Sequence, residues 1–387
     1  MSAVFSRRDI SLANWREHPF NTYSFQHVAE FVPSAEIAAG KAPAPYIGLR
    51  ALDGLTVTHN ALGRVSVADF LARTHGDVFV ALKNGEPVAD WHAPHASPEA
   101  PHLVFSVTKS VTGMLAGIAW GDGLLDPDAP VGNYVPTPPD CAYASARVRD
   151  LLDMTVRLDF AEDYLNRDGP FDRYRRAMLW NPERPGTVQE TMREVLAALP
   201  RSAGAHGEVF FYASPNTDML GLVIEAATGR RYHEFLRERL WLPMGATGMA
   251  RITVDREGSA RAAGGLSITA RDLALLGDLV MNDGRTRAGR QVIPAAWIAD
   301  MRSNGDRAAW KAGGFPGFFP AGNYRSCWYV ANDGRGGFAA EGIHGQRLWV
   351  DPTSGVAIAK LSSFPAPSDD PASVADFDVL AQIAKAL

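Results

Sequence analysis

The chain has 387 residues, 46% of them hydrophobic and 21% charged, a composition that fits one or two packed domains and excludes widespread disorder. Its 38 basic and 43 acidic residues leave a formal charge of -5, which argues against the cationic surface on which nucleic-acid affinity rests. Cys141 and Cys327 are far apart and outside any C-x-x-C pair, so a disulfide framework is excluded although one bond remains arithmetically possible, and a redox pair or zinc ribbon has little support.

The opening MSAVFSRRDISLANW lacks the apolar core of a secretory signal, and no apolar run nears the roughly 20 residues of a membrane span. A cytoplasmic protein with neither membrane nor nucleic-acid partner is expected. Residues 1–50 are mixed and proline-containing and read as an irregular arm packed on the body. DVFVALKNGEPVADW then gives two β-prone runs joined at Asn84-Gly85, a strong hairpin signal. Ser106 to about Trp120 is small and apolar with few β-branches, and reads as a buried helix closed by Gly121 and Gly123. Further helices are expected over 186–200, 216–227, 231–240, 269–281 and 374–387, the fourth with a Thr269–Asp272 capping pair. Strands are expected at SCWYVA, GQRLWV and VAIAKLS, the last two joined by the turn DPTSG. Strands from both ends around a helical middle predict a sheet domain (51–136 and 261–387) and a mainly helical lobe (137–260), with a cleft between them.

Three short stretches carry chemistry. In Ser106-Val107-Thr108-Lys109, serine and lysine three apart share a helix face, and a desolvated, neutral Lys109 amine can take the Ser106 proton during attack on a carbonyl. The plainer reading makes Ser106 a cap and Lys109 a solvated surface residue. In Phe211-Tyr212-Ala213-Ser214-Pro215-Asn216, a Tyr212 phenolate favoured by the Lys109 ammonium could relay a proton. Ser214 or Asn216 could bond the lysine or a substrate amide; otherwise Tyr212 is a core residue and Asn216 a helix cap. In Gly342-Ile343-His344-Gly345, a backbone N–H opposing that of Ser106 would complete a two-donor oxyanion hole, unless the stretch is simply an edge strand or bulge. His92-x-x-His95 lacks the Glu of a zinc helix, and no nucleophile elbow, phosphate loop or dinucleotide fingerprint occurs. No metal and no cofactor is expected.

The motifs SVTK, YASPN and GIHG, in this order and spacing, resemble those of the serine β-lactamase and penicillin-binding-protein superfamily. With NTYSFQHVAEFVPSA, LDFAEDY, GGLSITARDLA and EGIHGQRLWVDPTSGVAIAKLSS, nearly the whole chain is similar to the 6-aminohexanoate-dimer hydrolases, the nylon-oligomer branch related to carboxylesterases. The resemblance implies an α+β, β-lactamase/transpeptidase-like fold: an antiparallel sheet flanked by helices, with a mainly helical second lobe carrying a flap and the tyrosine motif. It implies Ser106 as acylated nucleophile, Lys109 as general base, Tyr212 as proton-transfer partner, and the N–H groups of Ser106 and Ile343 as oxyanion donors. Tyr164 resembles a flap tyrosine that contacts the substrate amide, and Trp180 a tryptophan on the same wall. Ser214, Asn216 and His344 complete the expected substrate-binding set.

The implied activity is hydrolysis of linear amides of the 6-aminohexanoate-oligomer type, or of small carboxylic esters, by a homodimer. The alternatives are a carboxylesterase or weak β-lactamase-like enzyme with little nylon-oligomer turnover, and a noncatalytic binding module on the same fold. Four positions depart from the family pattern. Residue 214 is Ser where many relatives have Asn, and the third motif has no Lys, with His344 mostly neutral at its ordinary pKa. Ala263 replaces a polar side chain, and Arg175 stands where an acidic side chain favours the amino end of the substrate.

Overall fold

The computed structural model describes residues 5–42, 45–313, 319–368 and 370–387. Its main sheet has seven strands, all antiparallel, in the spatial order Glu86–His92, Gly76–Lys83, Val356–Ser362, Gln346–Asp351, Phe338–Gly342, Trp328–Val330 and Asn323–Arg325. The first and last thirds of the chain therefore share one sheet. The hairpin turns where expected, with Lys83 paired to Glu86 and both Asn84 (φ 50°) and Gly85 (φ 83°) in the left-handed region that such a turn requires.

Alternation along Gln346–Asp351 separates the two faces of the sheet. Leu348 and Val350 lie under Gly277 of the helix Ala270–Met281. Arg347 and Trp349 point the other way, onto the helix Asp370–Ala386, where Arg347 donates to Ser373 (2.7 Å) and Trp349 packs on Phe377. The result is the expected antiparallel sheet flanked by helices.

The helix Val107–Gly121 is buried from Val107 to Ala119. Its small residues are a packing requirement. A Cβ at Gly113 would meet the Ser326 carbonyl oxygen at 2.2 Å, and one at Gly117 the Trp297 ring at 2.5 Å. A second, four-stranded antiparallel sheet orders Ser34–Ile37, Ala250–Thr253, Leu266–Ile268 and His102–Leu103. It delivers the chain to Ser106: Val104 N–H donates to Leu266 O (2.9 Å) just before the turn into the buried helix.

Several elements differ from expectation for local reasons. Residues 34–37 form an edge strand that four residues with little alternation did not advertise. The helix expected over 186–200 is confined to Met192–Ala197, because Thr191 caps it in a reciprocal box with Glu194. The segment expected at 231–240 continues instead, through a π-turn at Arg237–Trp241, to Met244. Ser326 and Cys327, both at positive φ, delay the strand expected at 326 until Trp328. Thr269 accepts from the Asp272 N–H (3.1 Å) as expected, but the Asp272 carboxylate also turns to the Thr247 and Gly248 N–H groups. Among the described residues no helix is long and apolar enough to cross a membrane, and Cys141 and Cys327 are free and buried.

Candidate active site

Phe105 carries φ +44°, a left-handed conformation that a bulky side chain adopts only when its surroundings impose it. Here the phenyl ring is buried against Phe25, His344 and Trp180. The resulting sharp turn sets Ser106 at the mouth of the buried helix. One turn on, Lys109 Nζ lies 2.8 Å from Ser106 Oγ and donates to Ala263 O at 2.7 Å. Lys109 is only 1% exposed, which rules out the reading of it as a solvated surface lysine.

Burial pulls the Lys109 amine down to about 8, a fall that Arg261 assists and that Glu162 and Asp218 partly offset. A neutral amine keeps two N–H donors and a lone pair. With Ala263 O occupying one donor, the lone pair is free to face the Ser106 hydroxyl. Asp218 anchors that carbonyl indirectly: it accepts the Ala263 N–H (2.7 Å) and the Tyr174 hydroxyl, and pairs with Arg261 (3.6 Å).

Tyr212 enters just before the helix Ser214–Thr228, with its hydroxyl hydrogen-bonded to Ser106 and its ring centre 5.0 Å from Lys109 Nζ. Burial, reinforced by the Glu162 charge, drives its phenol well above the usual value of 10. The phenolate suggested by proximity to an ammonium is therefore corrected. Desolvation outweighs that attraction, and the resting group is a neutral phenol able to donate.

Opposite Ser106, the strand Phe338–Gly342 ends with its last residue pressed on the turn that carries Ser106. A Cβ at Gly342 would stand 2.5 Å from Val104 O and 3.1 Å from Ser106 N. Only glycine lets these backbones approach so closely, and Ile343 follows at once, lining the same cavity as Ser106. The first N–H groups of a helix have no partner within it, which suits the Ser106 end to a developing oxyanion. His344 (φ +60°) turns away from this point. Its Nδ1–H donates to Phe364 O (2.7 Å), and burial takes the ring down to about 3, so it is a neutral packing group.

Glu162, to which sequence reasoning assigned no role, organises the flap side. Its carboxylate accepts from Ser214 N–H (2.6 Å), Ser214 Oγ (2.8 Å) and Tyr164 Oη (2.7 Å). The signal available was its place in the acidic LDFAEDY stretch, but convergence with Ser214 is tertiary. Tyr164 thus borders the cavity with its hydroxyl already engaged, its ring against Phe171 and beneath Arg175. Ser214 likewise spends its hydroxyl on Glu162. Trp180 lines a narrow space beside Ser106, its indole N–H donating to Thr253 Oγ1 (3.1 Å). Asn216 does not join the group. It is fully buried, its amide engaged by Tyr143 (3.2 Å) and the Met154 sulfur (3.5 Å), because it lies on the core side of its helix.

A cleft of about 460 Å³ opens over Ser106, lined by Tyr212, Ile343, Glu162 and Tyr164 among others. A second, of about 600 Å³, lies across Tyr164 and is lined by Arg16, Arg175 and His344. A serine hydroxyl in contact with a buried amine and a phenol, at the start of a helix and beside a close-packed glycine, is an arrangement that two-step acyl transfer can use. Among the described residues, no cluster of three or more His, Cys, Asp or Glu could hold a metal ion.

Comparison with known proteins places this geometry in context. The Beta-lactamase family pattern matches residues 66–383. The chain is 35% identical over 357 residues to the 6-aminohexanoate-dimer hydrolase of Paenarthrobacter ureafaciens, covering 92% of this chain and 89% of that one. Among solved structures, "Putative 6-aminohexanoate-dimer hydrolase from Bacillus anthracis" superposes with a TM-score of 0.88 at 22% identity, over 99% of this chain and 98% of the other. EstCE1, a hydrolase with promiscuous acyltransferase activity, follows at 0.60 and 17%, over 81% and 95%. At those identities the two structures speak for the fold.

Proposed function

The chain belongs to the β-lactamase family, and from that premise we propose that it hydrolyses linear amides of the 6-aminohexanoate-oligomer type, or small carboxylic esters, through an acyl-enzyme on Ser106. The substrate carbonyl sits over Ser106 with its oxygen toward the N–H groups of Ser106 and Ile343. Neutral Lys109 takes the hydroxyl proton as Oγ attacks, and the tetrahedral intermediate collapses with loss of the amine or alcohol, which Tyr212 protonates. Water then attacks the ester carbonyl with the proton transfers reversed, releasing the carboxylic acid and restoring Ser106.

The observation that carries this reading is the buried Lys109 amine held between Ser106 Oγ and Ala263 O, with burial lowering it to about 8. A β-lactam preference is not favoured, since His344 remains uncharged and supplies no cation at the third motif for a penicillin carboxylate. The test is a side-by-side assay of a short-chain p-nitrophenyl ester, a cephalosporin and the 6-aminohexanoate dimer, on wild type and Ser106→Ala. A fluorophosphonate probe is run in parallel. Ester or amide turnover and labelling, both lost in Ser106→Ala, are expected. Folded wild type that neither labels nor turns over any substrate would leave a binding module.

A further inference from the structure

Four arginines line the 600 Å³ cleft that lies across Tyr164, and two of them are already neutralised. Arg167 pairs with Glu17 (2.6 Å), and Arg184 with Asp168 (2.9 Å) and Asp172 (3.1 Å). Arg16 and Arg175 are different. Arg16 donates to Trp180 O (2.9 Å) and to Asn181 Oδ1, and lies on the Trp15 ring. Arg175 donates to Tyr164 O (3.0 Å) and lies 4.2 Å from the Phe171 ring centre. Neither forms an ion pair with any described carboxylate. The carboxylates nearest them are engaged elsewhere: Glu162 accepts from Ser214 and Tyr164, Glu17 pairs with Arg167, and Asp172 pairs with Arg176 and Arg184. Desolvation is the main cause that lowers both guanidiniums from their ordinary value, helped by repulsion from Arg175 and Arg261 at Arg16 and from Arg261 at Arg175.

A largely buried cation without a counter-charge is costly, and a guanidinium matches a carboxylate through paired N–H donors. Arg16 and Arg175 line not only the outer cleft but also the narrow space that opens on Ser106. Tyr212 lines the other cleft and not this one. If Tyr212 protonates the leaving group, that group departs on its side, and the acyl chain runs toward the arginines.

We propose that the acyl portion of the substrate ends in a carboxylate held by Arg16 and Arg175, so that the enzyme takes monoamides or monoesters of dicarboxylic acids. This rests on the acyl-enzyme reading above and narrows its substrate class: a 6-aminohexanoyl group ends in an ammonium that the two guanidiniums repel, so amides and esters with an anionic acyl end are the better substrates. The anionic end sits some carbons from the scissile carbonyl, and hydrolysis releases the dicarboxylate and the amine or alcohol.

The test compares kcat/KM for the p-nitrophenyl monoester of glutaric acid with that for p-nitrophenyl pentanoate and p-nitrophenyl 5-aminopentanoate. Wild type should favour the carboxylate ester over the pentanoate by about tenfold or more, as charge-assisted bonds to a desolvated pair imply. Arg175→Gln and Arg16→Gln should each lower that ratio about fivefold, chiefly through KM, and Arg175→Glu should turn preference toward the amino ester. Each ratio is internal to one enzyme, so a general loss of activity cancels. Competitive inhibition of wild type by free glutarate, and not by pentylamine, gives a second readout that needs no variant. A wild-type ratio near one, or ratios unmoved in both glutamine variants, overturns the proposal while leaving ester hydrolysis standing. No turnover of any ester together with no labelling of Ser106 overturns both readings.

Discussion

The protonation state of Lys109 makes the pH profile the most direct check on the chemistry. Burial brings the amine down to about 8, and the form that accepts the Ser106 proton is the neutral one. At pH 7 roughly one-tenth of such a group is neutral, and at pH 9 roughly nine-tenths. For a p-nitrophenyl ester with no ionisable group in this range, kcat/KM should therefore rise about tenfold between those values. The sign follows from the chemistry: raising the pH strips the proton that blocks the base. The neighbours do not compete for the limb, since His344 is taken down to about 3, Cys327 is pushed up to about 12 and Tyr212 is held well above its ordinary range. Glu162 is the foremost charge holding the Lys109 value up, so Glu162→Gln should move the limb to lower pH. Because roughly one-tenth of the base is already active at pH 7, the rate there relative to the alkaline plateau can gain at most about tenfold. The assay is initial-rate hydrolysis from pH 6 to 10, corrected for spontaneous cleavage. A profile flat between 7 and 9, or a limb that moves upward in Glu162→Gln, refutes the assignment.

Other perturbations reach different parts of the site and the core. Lys109→Ala should cost about 10⁴-fold in kcat with folding retained, checked by circular dichroism beside the rate, and near-normal turnover would remove Lys109 from the mechanism. Gly342→Ala forces a Cβ to 2.5 Å from Val104 O and should spread the two N–H donors, lowering kcat about a hundredfold; an unchanged kcat would count against that donor pair. Gly113→Ala sets a Cβ 2.2 Å from Ser326 O and should destabilise the fold by about 1–3 kcal/mol, read as a lower urea midpoint at unchanged slope. Asp218→Asn leaves Arg261 with a weakened buried partner and loosens the Ala263 turn that orients Lys109. A loss of about 3 kcal/mol is expected in denaturant unfolding, and an unchanged midpoint would mean that the pair contributes little.

Much of this protein could be read from local pattern. Asn84-Gly85 announced its hairpin because few other residues tolerate two successive left-handed positions. The Ser106–Lys109 spacing put two side chains on one helix face, since helical periodicity depends on nothing outside the helix. Small residues over 107–121 implied burial for the same local reason, and the motif order implied the family. Element limits were less legible at Thr191 and Ser326, where a cap and a positive-φ pair override the apolar pattern.

What the tertiary structure alone decided is the charge state and orientation of those groups. Lys109 meets Ala263 across 154 residues and Glu162 meets Ser214 across 52. Asn216 is turned to Tyr143, and Arg16 and Arg175 are left beside Ser106 without a carboxylate of their own. Spacing follows from bonded geometry and survives in any context. A pKa follows from how much water and which charges surround a group, and those are supplied by residues that only folding brings near.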